Sequence, residues 1–286
     1  MMQTLQQVDT IAGVRALVAK AKQQGKRIGL VPTMGYLHQG HLSLVEAARK
    51  RCDLVVMSIF VNPLQFGPNE DFERYPRDME RDRKMAAEAG VDVLFTPSVE
   101  EMYPKPPLTN ISISGVTAPL CGKSRPGHFD GVAVVVMKLF QIVQPDFAFF
   151  GQKDAQQVAV VTQMVADLNV PVEIVPCPIV REPDGLAMSS RNVYLSPEER
   201  EQALVLSRGL RMAEQWIRER VAPEKICARL REMIEQMPLA SIDYVEILHY
   251  PELTPVAALE PGRTIIVALA VRFGKTRLID NLIATV

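Results

Sequence analysis

A chain of 286 residues exceeds one ordinary hydrophobic core, and 48% apolar with 23% charged side chains is the composition of a folded protein, which excludes a fibrous or largely disordered one. Its 32 basic residues nearly balance 33 acidic ones, so a net charge of -1 supplies no general field for gripping a nucleic-acid backbone, and any anion site must be local. Cys52, Cys121, Cys177 and Cys227 are far apart with no C-x-x-C pair, which argues against a zinc knuckle or a dithiol centre and fits a reducing cytoplasm.

Residues 1–27 carry polar side chains early and no apolar h-region, so no secretion signal is expected. The longest apolar runs, such as Val132 to Met137, fall far short of the ~18 residues of a spanning helix, so no membrane anchor is expected either. Arg27 to Pro32 is a short apolar run bounded by Gly and Pro, Leu42 to Lys50 has helical spacing, and Leu54 to Phe60 is again a buried-strand run. The alternation continues. A helix over Asp78 to Ala89 precedes VDVLFTP, one over Val132 to Val143 precedes DFAFFG, and one over Ala155 to Leu168 precedes VEIVPCPIV. Such alternation predicts an α/β fold, a Rossmann-like doubly wound parallel sheet.

Beyond Pro183 two charged helical stretches, Pro197 to Arg220 and Pro223 to Gln236, come in succession, followed by the strands IDYVEILH, TIIVALAV and TRLIDN. This predicts a smaller α+β domain over 183–286 behind an N-terminal domain over 1–182. YPKPP and GKSRPGHFDG read as mobile connections, the second (Gly122 to Gly131) as a candidate lid.

The segment VPTMGYLHQGHLSLVEAA places His38 and His41 where a helix begins after a strand, and that end of a helix attracts anions. Three-residue spacing lets both imidazoles face one side toward a triphosphate, while Gly35 and Gly40 would let backbone amides approach it. Two surface histidines in an ordinary turn are the plainer alternative; the strand before and the helix after favour function. A zinc site is set aside, because no third metal-binding side chain accompanies the pair. Lys153 and Arg191 follow apolar strands at their carboxyl ends, where open α/β sheets bind ligands, and both suit phosphate oxygens.

These residues resemble the H-I-G-H signature of the nucleotidyltransferase superfamily, and PTMGYLHQGH, FVNPLQF, YPR, SRPGHFDGV, FGQKDAQQ and MSSRN occur in the order and spacing of the pantothenate synthetase family. RLIDN near the C-terminus is similar as well. The resemblance implies a cytoplasmic homodimer in which ATP and pantoate give pantoyl adenylate and pyrophosphate, after which the amine of β-alanine releases pantothenate and AMP. It further implies ATP contacts from Met34, Gly35, Tyr36, Leu37, His38, Gln39, Gly40 and His41, with His41 as proton donor. Gly151, Gln152, Lys153 and Asp154 would continue them, Asp154 at the ribose, with Val180 at the adenine through its backbone, Met188 as a further ATP contact, and Ser189, Ser190 and Arg191 on the phosphates. Gln65 would contact both pantoate and β-alanine, and Gln157 pantoate.

Mg²⁺ is expected with ATP, its protein ligands unassigned, although Asp82 is one possible contact. Three other readings stay open at the level of sequence. They are a nucleotidyltransferase acting on a phosphate ester such as phosphopantetheine, a nucleotide-sensing scaffold, and an aminoacyl-tRNA synthetase fragment, the last disfavoured by the near-neutral charge.

Overall fold

The computed structural model describes residues 5–68 and 70–286; the expectation of no leader peptide therefore extends, over 1–4, outside the described residues. In chain order the elements are β1 (Gln6–Val8), α1 (Ile11–Gln23), β2 (Ile28–Thr33), α2 (Gln39–Arg49), β3 (Leu54–Ile59), α3 (Met79–Ala89), β4 (Val93–Phe95) and α4 (Val99–Met102). There follow α5 (Cys121–Ser124), α6 (His128–Val143), β5 (Phe147–Gly151), α7 (Ala155–Asp167), β6 (Glu173–Cys177), α8 (Pro197–Arg218), α9 (Pro223–Glu235), β7 (Ala240–His249), β8 (Thr264–Phe273) and β9 (Thr276–Thr285).

Two compact units emerge. The first comprises Met1–Ile113, Arg125–Gln152 and Val160–Pro178, the second Ser114–Ser124, Lys153–Ala159 and Ile179–Val286. A single cut between 182 and 183 differs from this division, in which two short segments of the first half group with the C-terminal part.

In the first unit six parallel strands run in the order β1-β4-β3-β2-β5-β6. Every residue of β3 is buried, as a strand covered on both faces requires. The chain builds outward from β2 through β3 and β4 on one side and through β5 and β6 on the other, so the order reverses between β2 and β5. Ligands of open α/β sheets bind at the carboxyl ends of strands flanking such a reversal. Helix α2 packs Leu44, Val45 and Ala48 into the core formed with Val31, Met57 and Phe149.

The second unit carries an antiparallel sheet in the order β7-β8-β9. Central β8 is buried continuously from Ile265 to Val271, and Leu206, Leu210, Ile226 and Leu230 of α8 and α9 pack on Val267, Leu269 and Phe273. Ser196 starts α8 as a capping box with Glu199, and Pro197 takes the first helical position, where a missing N–H costs nothing.

The element bounds add local detail to the sequence pattern. The sequence pattern marks no strand over Gln6 to Val8, which pairs with Val93 to Phe95 as a three-residue edge. Gly122 to Gly131, expected to be a mobile connection, carries helix at both ends: α5 occupies its start and α6 begins at His128, four residues before Val132. The helix expected to begin at the histidine pair does so: α2 opens at Gln39, with His38 as its cap.

Candidate active site

The turn from β2 into α2 is held from several directions. Thr33 Oγ1 donates to the carbonyl of Ser58 on neighbouring β3 at 2.7 Å and accepts from Gly35 N–H at 3.2 Å. Gly35 has φ +85°, and a Cβ there would stand 2.8 Å from Ile59 and 3.0 Å from Asp82, so glycine is required twice over. Asp82, on α3 and buried, accepts the N–H groups of Tyr36 and Leu37, each at 2.7 Å. Burial raises its carboxyl pKa, and the two N–H bonds and Arg81 offset this only in part. Arg81 completes the clamp, donating to the Leu37 carbonyl at 2.9 Å and lying 4.9 Å over the Tyr36 ring.

His38 and His41 then cap α2 reciprocally. Gly40 N–H donates to His38 Nδ1 at 3.1 Å, His38 N–H donates to His41 Nδ1 at 3.3 Å, and the rings stack with centroids 4.0 Å apart. Since both Nδ1 atoms accept, the neutral tautomer of each ring carries its hydrogen on Nε2. One expectation fails at this turn. The amides of Gly35, Tyr36, Leu37, His38 and Gly40 all donate to side chains of the protein, so these five do not form a cradle of amides for a triphosphate. Asp82 is likewise a holder of the turn, with both oxygens engaged by backbone, and not a ready metal contact.

Gln65 ends a 3₁₀ turn, Pro63–Gln65, that follows β3. Its side chain is buried and oriented: Asn62 Nδ2 donates to Gln65 Oε1 at 3.1 Å, and Gln65 Nε2 reaches Met34 Sδ at 3.3 Å. Asn62 is itself fixed, donating to the Gly131 carbonyl at 3.1 Å and accepting from the Tyr103 hydroxyl at 3.0 Å. The Gln65 carbonyl is gripped from α6. Arg125 can only donate, so His128 Nε2, 3.0 Å from it, accepts, and His128 Nδ1–H donates to the Gln65 carbonyl at 2.8 Å. Arg125 also forms a two-pronged ion pair with Glu70, both contacts 2.6 Å. Burial works against ionisation of Glu70, but Arg125 together with Gly67 N–H and His128 outweighs it and holds the carboxyl below the usual glutamate range.

Gly151 and Gln152 continue β5 at the point where the strand order reverses, in the same unit as the histidine turn. Lys153, Asp154 and Gln157 group with the second unit, as do Val180 and Met188 to Arg191. Lys153 is mostly covered and 3.9 Å from the half-exposed carboxylate of Asp154, a weak pair. Gln157 is half-buried on the first turn of α7. The neighbouring Gln156, unremarked in sequence, is the buried one, bonding Cys121 N–H and the Val116 and Pro119 carbonyls. Met188 N–H donates to the Val180 carbonyl at 3.0 Å, tying together two expected nucleotide contacts, and Ser189 Oγ accepts from Arg191 N–H at 3.2 Å to start the turn Ser190–Tyr194.

Sequence reasoning passed over Asn62, Glu70, Arg125 and His128 as individuals. The Asn-Pro turn signalled Asn62, whereas the pairing of Glu70 with Arg125, 55 residues apart, leaves no local signal.

The family model described as pantoate-beta-alanine ligase matches residues 6–283. A pantothenate synthetase of Pelotomaculum thermopropionicum is 57% identical over 96% of this chain and 97% of its own length. One from Acetivibrio thermocellus is 58% identical over 98% and 99%. Among solved structures, pantothenate synthetase from Thermus thermophilus superposes with a TM-score of 0.91 at 50% identity, covering 97% of this chain and 98% of that one. The pantoate-beta-alanine ligase of Francisella tularensis, complexed with beta-gamma ATP and beta-alanine, gives 0.80 at 36% identity over 98% and 97%. With full-length matches of this kind and the histidine turn in place at the head of α2, the chain belongs to the pantoate-beta-alanine ligase family.

Proposed function

We propose that this enzyme joins pantoate to β-alanine in two steps driven by ATP. In the first, a pantoate carboxylate oxygen attacks the α-phosphorus of ATP and pyrophosphate leaves, giving pantoyl adenylate. In the second, the β-alanine amine attacks the acyl carbon and AMP departs with the bridging oxygen. The observation that carries this reading is the His38–His41 pair, two stacked rings whose hydrogens sit on Nε2 because both Nδ1 atoms accept backbone N–H. Such donors stabilise charge growing on phosphate oxygens as the α-phosphorus becomes five-coordinate, and they are fixed before the substrate arrives. His41 serves as the proton donor, and His38 binds phosphate beside it.

Met34, Tyr36, Leu37 and Gln39 flank the nucleotide, and Gly151 and Gln152 extend its site. Lys153 and Arg191, with Ser189 and Ser190, neutralise phosphate charge; Asp154 takes the ribose, Val180 takes the base through its backbone, and Met188 is a further ATP contact. The amide of Gln65 contacts pantoate and β-alanine without adding a charge that would repel ATP, and Gln157 contacts pantoate. Mg²⁺ enters with ATP as part of the substrate, held mainly by phosphate oxygens and water. Among the described residues no helix is long and apolar enough to cross a membrane. A cytoplasmic homodimer without nucleic-acid partners is part of the same reading.

Pyrophosphate release measured with ATP and pantoate, first without and then with β-alanine, tests it. One equivalent of pyrophosphate per site should form without the amine, and continuous AMP production should require it. Turnover with a phosphate ester in place of pantoate would overturn the reading.

A further inference from the structure

The RLIDN segment of β9 has no role in the chemistry above, yet it places two polar side chains where a sheet wants apolar ones. Asp280 and Asn281 are buried at 3% and 6% exposure and pair across the ladder with Leu269 and Ala268 of β8. Burying an ionised carboxylate and an amide inside a sheet is unfavourable unless both are fully hydrogen-bonded. Adjacent residues of a strand face opposite ways, so the two side chains reach different targets.

Asp280 receives both prongs of Arg181, at 2.7 and 3.0 Å, and its Oδ1 also accepts Asn281 N–H at 2.8 Å. Arg181 opens the hairpin that bridges to Ala187, where Glu182 N–H meets the Leu186 carbonyl and Arg181 itself donates to the Gly185 carbonyl at 3.2 Å. That hairpin lies between Val180 and Met188 and leads directly into Ser189 to Arg191. Asn281 Nδ2 donates to the carbonyl of Lys153 at 3.0 Å, across 128 residues of sequence. Both tethers lie within the second unit.

We infer that Asp280 and Asn281 are positioning residues for the nucleotide-binding groups of this unit: Asn281 fixes the backbone of Lys153, and Asp280 fixes through Arg181 the hairpin that delivers Ser189 to Arg191. The inference rests on the reading that Lys153 and Arg191 bind ATP. Neither positioning side chain touches substrate. Each sets the place of a cation's backbone, and a misplacement of about 1 Å at a charged group is enough to lower catalysis strongly.

A double-variant cycle on the intact enzyme tests it, reading kcat and KM for ATP and for pantoate in pyrophosphate release, with thermal midpoints alongside. Asn281→Ala, and Asn281→Asp, which keeps the volume but removes the donor, should each lower kcat/KM for ATP about tenfold. The KM for pantoate should stay within about twofold, and in a Lys153→Ala background Asn281→Ala should cost almost nothing further. Asp280→Asn, which keeps shape and weakens the grip on Arg181, should raise the KM for ATP in the same way. Equal losses with and without Lys153, or a fall in thermal midpoint with unchanged ATP kinetics, would overturn the positioning role. Wild-type kinetics in Lys153→Ala would overturn the phosphate-binding reading on which it rests, whereas impaired Lys153→Ala beside unimpaired Asn281 variants would overturn the inference alone.

Discussion

The exchange of hydrogen bonds between His38 and His41 does two jobs with one geometry. It closes the N-terminus of α2, where the first N–H groups of a helix lack partners, and it decides which nitrogen of each ring carries the hydrogen. Replacing His41 with Ala therefore removes a positioned donor and one half of the cap. Pyrophosphate release should fall about 10²-fold or more; a rate equal to wild type would take His41 out of the mechanism. The two imidazoles were legible in sequence because strand, turn and helix surround them. The destination of the turn's amides was not, since Asp82 reaches Tyr36 and Leu37 from an element more than forty residues on, and only the folded chain shows that it takes the amides a phosphate would have used.

Among the elements, the 3₁₀ turn ending in Gln65 depends on how closely α6 approaches it. A Cβ on Gly131 would lie 2.2 Å from the Leu64 carbonyl oxygen, which is backbone and cannot swing aside. Gly131→Ala should push the turn away and raise the KM for pantoate about tenfold, with little change in that for ATP; an unchanged pantoate KM would show that Gln65 is not held this way. The ion pair between Glu70 and Arg125 secures the same turn and makes it acid-sensitive. Because the folded Glu70 titrates below its unfolded value of about 4.3, its contribution to stability is present above that pH and is lost as pH falls through the lowered folded value. Glu70→Gln should lower stability at neutral pH and flatten the loss of stability below about pH 4.3, as urea unfolding at several pH values would report. A variant with the wild-type acid profile would contradict the assignment. Sequence periodicity found the helix behind this turn but started it at Val132, because Arg125, Pro126 and Gly127 look like loop residues, and only the bonds of Arg125 and His128 to the Gln65 carbonyl show that the stretch is anchored.

For the molecule as a whole, the parallel sheet was readable because buried strands such as β3 are continuous apolar runs, and the antiparallel sheet because Pro and Gly punctuate its strands. The short edge β1 was not readable, since three residues carry no periodicity, and neither was the grouping of 114–124 and 153–159 with the C-terminal part, which depends on contacts far apart in sequence. The core of the first unit should also be chemically silent. Burial pushes the Cys52 thiol up to about 11, so at pH 8 in the native enzyme iodoacetamide should modify it only after unfolding; rapid native labelling, mapped by peptide mass, would show that this core opens. The reaction as a whole turns on activation of pantoate as its adenylate. That step is tested most directly by running the complete reaction with pantoate carrying ¹⁸O in both carboxylate oxygens and weighing the AMP. One labelled oxygen in each AMP is the result expected, because that oxygen bridges carbon and phosphorus before the amine displaces it; unlabelled AMP would contradict the account.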